Sequence, residues 1–363
     1  MQEYISSNKF RSGIILLVAF LLGALGMFAL VKYYPVAVMN NVTKTVKDVT
    51  VTESGIADAV EKVYDAVVTV ETYKGGKLYG TGTGFVYKEN GNKAFILTNN
   101  HVVESGDEVR VVFTNQKSVK AEVVGSDKYA DIAVLNVSNK DIISVASIGK
   151  STSSRIGDTV FAVGAPIDSS AYSWSVTRGI LSGKDRMVEV SLTNSTVSDW
   201  VMSVLQTDAA INSGNSGGPL ANSNGEVIGI NSMKLASSSI EGMGFAIPIE
   251  DAIDYANRLE SGEKIERPYL GVSMYNLADI LMQVRTNLTS GVYVDKVEKG
   301  SPADNAGLQS GDIIVKVGDN DISSVAFLKY QLYKHNVGDK INVSFYRGDD
   351  LKTVTISLDK AAS

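Results

Sequence analysis

The spacing of apolar positions along the chain changes several times. From Gly13 to Val31 they are continuous, with no charged residue among them. A run of 18 or more apolar residues has the length to cross a bilayer as a helix, so a transmembrane anchor is expected over 13–31. The alternative is a cleaved signal peptide, which needs a shorter apolar core and a small-x-small cleavage site. Here Lys32-Tyr33-Tyr34-Pro35 follows the run instead. Lys9 and Arg11 precede it and only Lys32 follows closely. The positive-inside rule then places residues 1–12 in the cytoplasm and the bulk of the chain outside.

Residues 32–55 are polar and threonine-rich, without helical period, and read as a linker. A helical pattern follows over 56–67. Short runs rich in Val and Ile come next, at 67–73, 93–100, 108–113, 120–126, 131–137, 158–165 and 226–233, separated by turn-forming residues. Strands at such intervals predict a sandwich or barrel, not βαβ units. Ile249, Ile253, Ala256 and Leu259 then recur at helical spacing, with Gly262 as the stop signal. This marks out a mainly β domain over 56–262. A second, small α/β unit is expected over 268–360, with strands at 290–298, 311–319, 340–348 and 351–358 and a helix at 324–335.

Composition narrows the chemistry. The 363 residues are 44% hydrophobic and 20% charged, which fits globular domains and excludes a collagen or a many-span membrane protein. The absence of cysteine excludes disulfides, iron–sulfur clusters and thiolate nucleophiles. A zinc site would need both histidines, His101 and His335, plus carboxylates; no metal or other cofactor is expected. A net charge of −6 without a dense Lys/Arg cluster gives no basis for nucleic-acid binding.

Four segments carry candidate chemistry. Gly80-Thr81-Gly82-Thr83-Gly84 suggests a nucleotide loop, but a dinucleotide fingerprint must open a helix, and Phe85-Val86-Tyr87 continues as a strand. A glycine-rich strand with close backbone approach is the simpler reading. Gly214-Asn215-Ser216-Gly217-Gly218-Pro219-Leu220 sets a serine among glycines, where backbone N–H groups can converge beside a hydroxyl. His101 stands where an apolar strand runs into a loop, and Asp131 opens another strand. Each has an ordinary structural explanation, as a glycine turn, a packed histidine and a turn aspartate. Together they make a nucleophile, a base and an orienting carboxylate. Their order, His–Asp–Ser, is that of chymotrypsin-type barrels. A rival reading takes Gly214-x-Ser216-x-Gly218 as a hydrolase nucleophile elbow with His335 downstream. That elbow requires a helix after the serine, whereas Val227 to Ile230 reads as a strand. His335 is expected to cap a surface helix.

Thr98 to Val102, Ala130 to Leu135, Gln206 to Leu220 and Gly242 to Pro248 together resemble the HtrA/Deg family of trypsin-fold serine proteases. Tyr269 to Val272, Gly300 to Ala303 and Ala306 to Ile314 resemble that family's PDZ domain. The resemblance implies a chymotrypsin/trypsin-like double β-barrel followed by a C-terminal PDZ domain. It also implies an ATP-independent endopeptidase that acts on unfolded or damaged exported proteins at the membrane surface, forming a homotrimer. By position, Ser216 would be the nucleophile, His101 the base and Asp131 the orienting carboxylate. Gly214 and Ser216, joined by Asn215, would line the oxyanion hole. Tyr269, Leu270, Gly271 and Val272 would hold the carboxylate of a C-terminal or extended peptide.

The trypsin pattern puts the S1 pocket at Ala210 and Ile211, faced by Asn231, Ser232 and Met233. With no carboxylate among them, small or medium apolar side chains are expected there. The segment after Val70 is too short for a long inhibitory loop, which favours a tethered trimer over a cage. Arg186 falls where the family carries an activating loop arginine, so a switch that reorders 165–186 is expected. Ser213 departs from the Pro, Arg or His common in relatives. A non-catalytic, chaperone-like binding protein on the same fold is the other reading kept open.

Overall fold

The computed structural model describes residues 2–33, 53–164, 174–190, 200–212, 214–233 and 242–360. Most of the expected linker, part of the expected 165–186 switch and Ser213 lie outside the described residues. The chain divides into Met1–Thr52 and Glu53–Ser363.

In the first unit, α1 (Gln2–Tyr33) runs through the whole apolar stretch. Its described apolar side chains, Ile14 and Leu16 to Ala29, are exposed. Among the described residues no helix is long and apolar enough to cross a membrane, so a span over 13–31 rests on the sequence alone.

In the second unit, α2 (Glu53–Tyr64) leads into β1 (Val67–Lys74), β2 (Lys77–Asn90) and β3 (Lys93–Thr98). The one-turn helix α3 (Asn100–Val103) precedes β4 (Glu108–Val112), β5 (Ser118–Asp127) and β6 (Ile132–Ser138). These strands close into a barrel in the order β1-β2-β3-β6-β5-β4. Gly75 and Gly76, both at positive φ, make the tight β1–β2 turn, so the expected short segment after Val70 is a hairpin.

A second sheet is built from β7 (Ser147–Ile148), β8 (Thr159–Gly164), β9 (Ser175–Val190), β10 (Trp200–Thr207), β11 (Pro219–Asn222), β12 (Glu226–Asn231) and β13 (Gly244–Pro248). Its order is β11-β8-β9-β10-β13-β12-β7, and pairing of β11 with β12 closes it into a second ring. This is the double barrel that the family resemblance implies. The sequence reading did not include β9 or β10 among its strands.

The near-continuous apolar runs reflect burial on both faces of each strand. On β3, Ala94 and Ile96 fill the first barrel, while Phe95 and Leu97 join the core shared with the second. The next helix, α4 (Ile249–Glu260), buries Ile249, Ala252, Ala256 and Leu259 on one face. Gly262, at φ 72°, follows its end as expected.

The C-terminal part contains β14 (Pro268–Tyr269), β15 (Val272–Asn276), α5 (Leu277–Ile280), β16 (Val292–Val297), α6 (Pro302–Asn305), β17 (Ile313–Val317) and β18 (Asn320–Asp321). It continues with α7 (Val325–Leu332), β19 (Lys340–Arg347), β20 (Asp350–Ser357) and β21 (Asp359–Lys360). One sheet runs β15-β16-β17-β19-β20, leaving β15 at an edge. Val292, Ile314, Leu328, Val343 and Phe345 centre its core.

One expectation needs correction. The helix before His335 is not a surface helix: α7 lies against β10, and the Trp200 ring centre is 6.3 Å from Tyr330 and 5.1 Å from Tyr333. Burial is the main reason that the Tyr333 hydroxyl is pushed up to about 12. His335 itself sits beyond the end of α7, with Nδ1 3.9 Å from Asp339.

Candidate active site

His101 rides on α3, immediately after β3 delivers the chain to the groove between the barrels. Its Nδ1 is 2.9 Å from Asp131 Oδ2 and 3.0 Å from Oδ1, and its backbone N–H donates to Oδ1 at 3.1 Å. Asp131 is only 1% exposed, so its charge must be met by donors within the protein. Ser232 Oγ supplies another, donating to Oδ2 at 3.0 Å. Asp131 holds φ at 54°, a left-handed conformation that aspartate tolerates better than most residues, and Asn99 Nδ2 secures its carbonyl at 2.9 Å.

Ser216 lies in the turn before β11, buried at 6% exposure. Its Oγ accepts from the Met233 N–H at 2.9 Å. Among the described residues no hydrogen bond joins His101 to Ser216. The N–H groups of Gly214 and Ser216 find no acceptor among the described residues. Gly217 must be glycine on two counts. Its φ is 83°, and a Cβ there would lie 2.2 Å from the Thr83 carbonyl oxygen.

Other expected site residues make hydrogen bonds within the fold. Asn215, expected to join the oxyanion hole, donates its backbone N–H to Asn212 O at 3.2 Å. Its Nδ2 donates to Ala210 O at 3.1 Å and its Oδ1 accepts from Asn212 N–H at 3.0 Å. Both of its donor groups therefore brace the 210–215 turn. Asn231 and Ser232, expected in the S1 wall, are fully buried. Asn231 donates from Nδ2 to Pro219 O at 3.0 Å, and Ser232 reaches Asp131. Ala210 is exposed and Ile211 half-buried, with Ile211 packed near Gly244.

At the C-terminal sheet, Tyr269, Leu270, Gly271 and Val272 form the turn from β14 into edge strand β15. The Leu270 carbonyl accepts from Ala303 N–H and the Gly271 carbonyl from Glu298 N–H, each at 2.9 Å. The N–H groups of Leu270 and Gly271 have no acceptor among the described residues. The Tyr269 hydroxyl bonds to Glu298.

Residues 82–230 match the model of the trypsin-like peptidase domain, and residues 268–358 match that of the PDZ domain. The chain is 40% identical to the serine protease Do-like HtrB of Bacillus subtilis, covering 85% of this chain and 71% of the relative. The chain belongs to the HtrA family of serine proteases. A probable periplasmic DegP-like serine endoprotease of Hahella chejuensis is 39% identical over 77% of this chain and 56% of its own length. Among solved structures, the HtrA-type protease AlgW with a decapeptide aligns with a TM-score of 0.66 at 27% identity, over 85% of this chain and 99% of that one.

This HtrA chain is a serine endopeptidase with a PDZ domain. The hydrolase-elbow alternative fails on the strand β11 that follows Ser216. Arg186, read from the sequence as a loop residue, lies instead within β9, paired opposite Val204. Sequence reasoning missed Ser232 as a partner of Asp131; its place one residue after β12, in the chain segment facing Ser216, was the available signal. It also missed the Met233 N–H that holds the Ser216 hydroxyl.

Proposed function

We propose that Ser216 attacks the scissile peptide carbonyl, with His101 as base and Asp131 as the carboxylate that orients it. The observation that carries this reading is the bond of His101 Nδ1 to the buried, multiply bonded Asp131, while Nε2 has no hydrogen-bond partner among the described residues. With Nδ1 protonated and bound to the carboxylate, Nε2 is the basic nitrogen. The Ser216 hydroxyl turns from the Met233 N–H towards Nε2 when a substrate fills the groove. Its proton passes to Nε2 as Oγ bonds to the carbonyl carbon. The N–H groups of Gly214 and Ser216 then stabilise the oxyanion. His101 returns the proton to the leaving amine as the C–N bond breaks, leaving an acyl ester on Ser216. A water molecule, deprotonated by His101, resolves that ester and restores the hydroxyl.

The protease domain spans about 56–262 and the PDZ domain 268–360. The substrates are unfolded or damaged exported proteins, cleaved without ATP. The C-terminal or extended end of a peptide adds to edge strand β15, its carboxylate held by the N–H groups of the Tyr269–Val272 turn. The apolar run 13–31 supports a membrane anchor, with the protease and PDZ domains on the extracytoplasmic side. The name of the Hahella relative fits that placement. The short β1–β2 hairpin favours a homotrimer. Arg186 responds to bound peptide by reordering the neighbouring loops.

A fluorophosphonate probe tests the nucleophile. It is expected to label the purified full-length chain at Ser216 alone, and His101→Ala is expected to abolish labelling. Labelling at another serine, or undiminished labelling of His101→Ala, would overturn the reading.

A further inference from the structure

The glycine-rich segment Gly80–Gly84 has no part in the steps above, yet β2 presses it against the serine turn. Thr83 and Thr98 are both fully buried. The Thr83 hydroxyl donates to the Gly214 carbonyl at 2.6 Å, and its backbone N–H donates to the Ser216 carbonyl at 2.9 Å. The Thr83 carbonyl accepts in turn from Thr98 Oγ1 at 2.7 Å, three residues before His101. One residue thus grips the serine turn at two carbonyls.

We propose that Thr83 is a positioning residue for the oxyanion hole, holding the two peptide units that flank the one carrying the Ser216 N–H, so that this donor keeps the geometry that receives the developing charge. This rests on the reading of Ser216 as nucleophile. A peptide unit is planar, so fixing its carbonyl fixes the orientation of the whole unit. The 214–215 unit is held by the Thr83 hydroxyl at one end and by Asn215 N–H to Asn212 O, 3.2 Å, at the other. The 216–217 unit is held by the Thr83 N–H and by Gly217 N–H to Asn231 O at 2.9 Å. Between them, the 215–216 unit that carries the Ser216 N–H has its carbonyl fixed by Gly218 N–H at 3.0 Å.

Gly214 is the weak point of this frame. At φ 107° it occupies a region open to glycine, and glycine moves between backbone conformations at little cost. By fixing the Gly214 carbonyl, the Thr83 hydroxyl removes that freedom from the 214–215 unit, which leads directly into the unit that carries the Ser216 N–H. Oxyanion-hole donors act because they are fixed before charge develops. A threonine suits the position twice over. The hydroxyl makes the bond, while the methyl group closes the space beside Gly218, where a Cβ would come within 2.9 Å of Thr83 Cγ2.

The test compares full-length wild type, Thr83→Val, Thr83→Ser and Ser216→Ala on a chromogenic peptide anilide with valine before the scissile bond. Thr83→Val keeps the shape and loses the donor. It is expected to lower kcat by roughly 10- to 100-fold, up to the loss typical of one oxyanion donor, with KM within about two-fold, as for an interaction made only in the transition state. Affinity for a peptide boronate, which bonds to Ser216 and fills the hole, should fall in parallel, and Thr83→Ser should recover most of both. If Thr83→Val fails to fold by thermal melting, Thr83→Ala takes its place under the same expectations. Unchanged kcat in the folded hydroxyl-free variant, or a change in KM alone, would overturn the proposal while leaving the Ser216 reading intact. Cleavage by Ser216→Ala would instead remove that reading, and the proposal with it.

Discussion

Arg267 Nη2 donates to Asp127 Oδ1 at 2.6 Å, and its guanidinium lies 4.2 Å from the Tyr129 ring centre. Asp127 also accepts from the Tyr129 and Ala130 N–H groups at 3.0 and 2.7 Å. The chain between α4 and the PDZ sheet is thereby tied to the turn that ends at Asp131. Asp127 is 7% exposed, so losing its cation would strand a buried charge. Arg267→Ala is expected to cost about 3–5 kcal/mol of stability, measured by urea unfolding. Arg267→Lys should recover little, because an ammonium cannot both lie flat on Tyr129 and reach Asp127. An effect below about 0.5 kcal/mol would show the pair to be as weak as a surface contact.

Ser232 is expected to contribute through Asp131. A hydrogen bond to a charged group contributes about 1.5–3 kcal/mol, so Ser232→Ala should lower kcat by roughly tenfold or more. Steady-state kinetics should show KM little changed. If kcat also stays at the wild-type value, the bond to Asp131 has no bearing on turnover.

The Glu250 carboxylate at the start of α4 offers a pH-dependent check. Desolvation pushes its pKa up, but hydrogen bonds from Ser151 Oγ and from the N–H and hydroxyl of Thr152 outweigh this, holding it below the ordinary glutamate value of 4.5. A lowered carboxylate pKa means that the unfolded chain binds the proton more readily. The stabilisation is therefore complete above about pH 4.5 and disappears as pH falls through the lower folded value. Glu250→Gln should melt earlier than wild type at pH 7, with the gap closing below pH 4. A gap of constant size across that range would contradict the account.

The S1 region expected at Ala210 and Ile211, faced by Asn231, Ser232 and Met233, contains no carboxylate. Peptide-library profiling should find Val, Ala or Ile before the cleaved bond. A preference for Lys or Arg would rule out this pocket.

What could be read from the sequence, and what could not, follows from where the determining contacts lie. Runs such as 93–98 and 131–137 are strands because adjacent residues fill two cores, and that leaves a local pattern of Val, Ile and Leu. The serine turn was legible through Gly214, Gly217 and Gly218, whose spacing is itself the constraint. β9 escaped notice because its exposed positions mix apolar residues, Val176, Ile180 and Met187, with charged ones such as Arg178 and Asp185, and its pairing with β10 is irregular near Gly183. Tyr330 and Tyr333 read as part of a surface helix, since Trp200, which covers them, is more than a hundred residues away in the chain. Asn215 and Ser232 carried ambiguous donors, and only the fold decides that one turns into its own loop and the other towards Asp131.

The central claim is that Ser216, oriented with His101 and Asp131, cleaves peptide bonds. It is tested most directly by incubating the full-length protein and its Ser216→Ala variant with unfolded casein, without ATP, and following fragments by gel electrophoresis. The account predicts degradation by the wild type and none by the variant; equal degradation by both would contradict it.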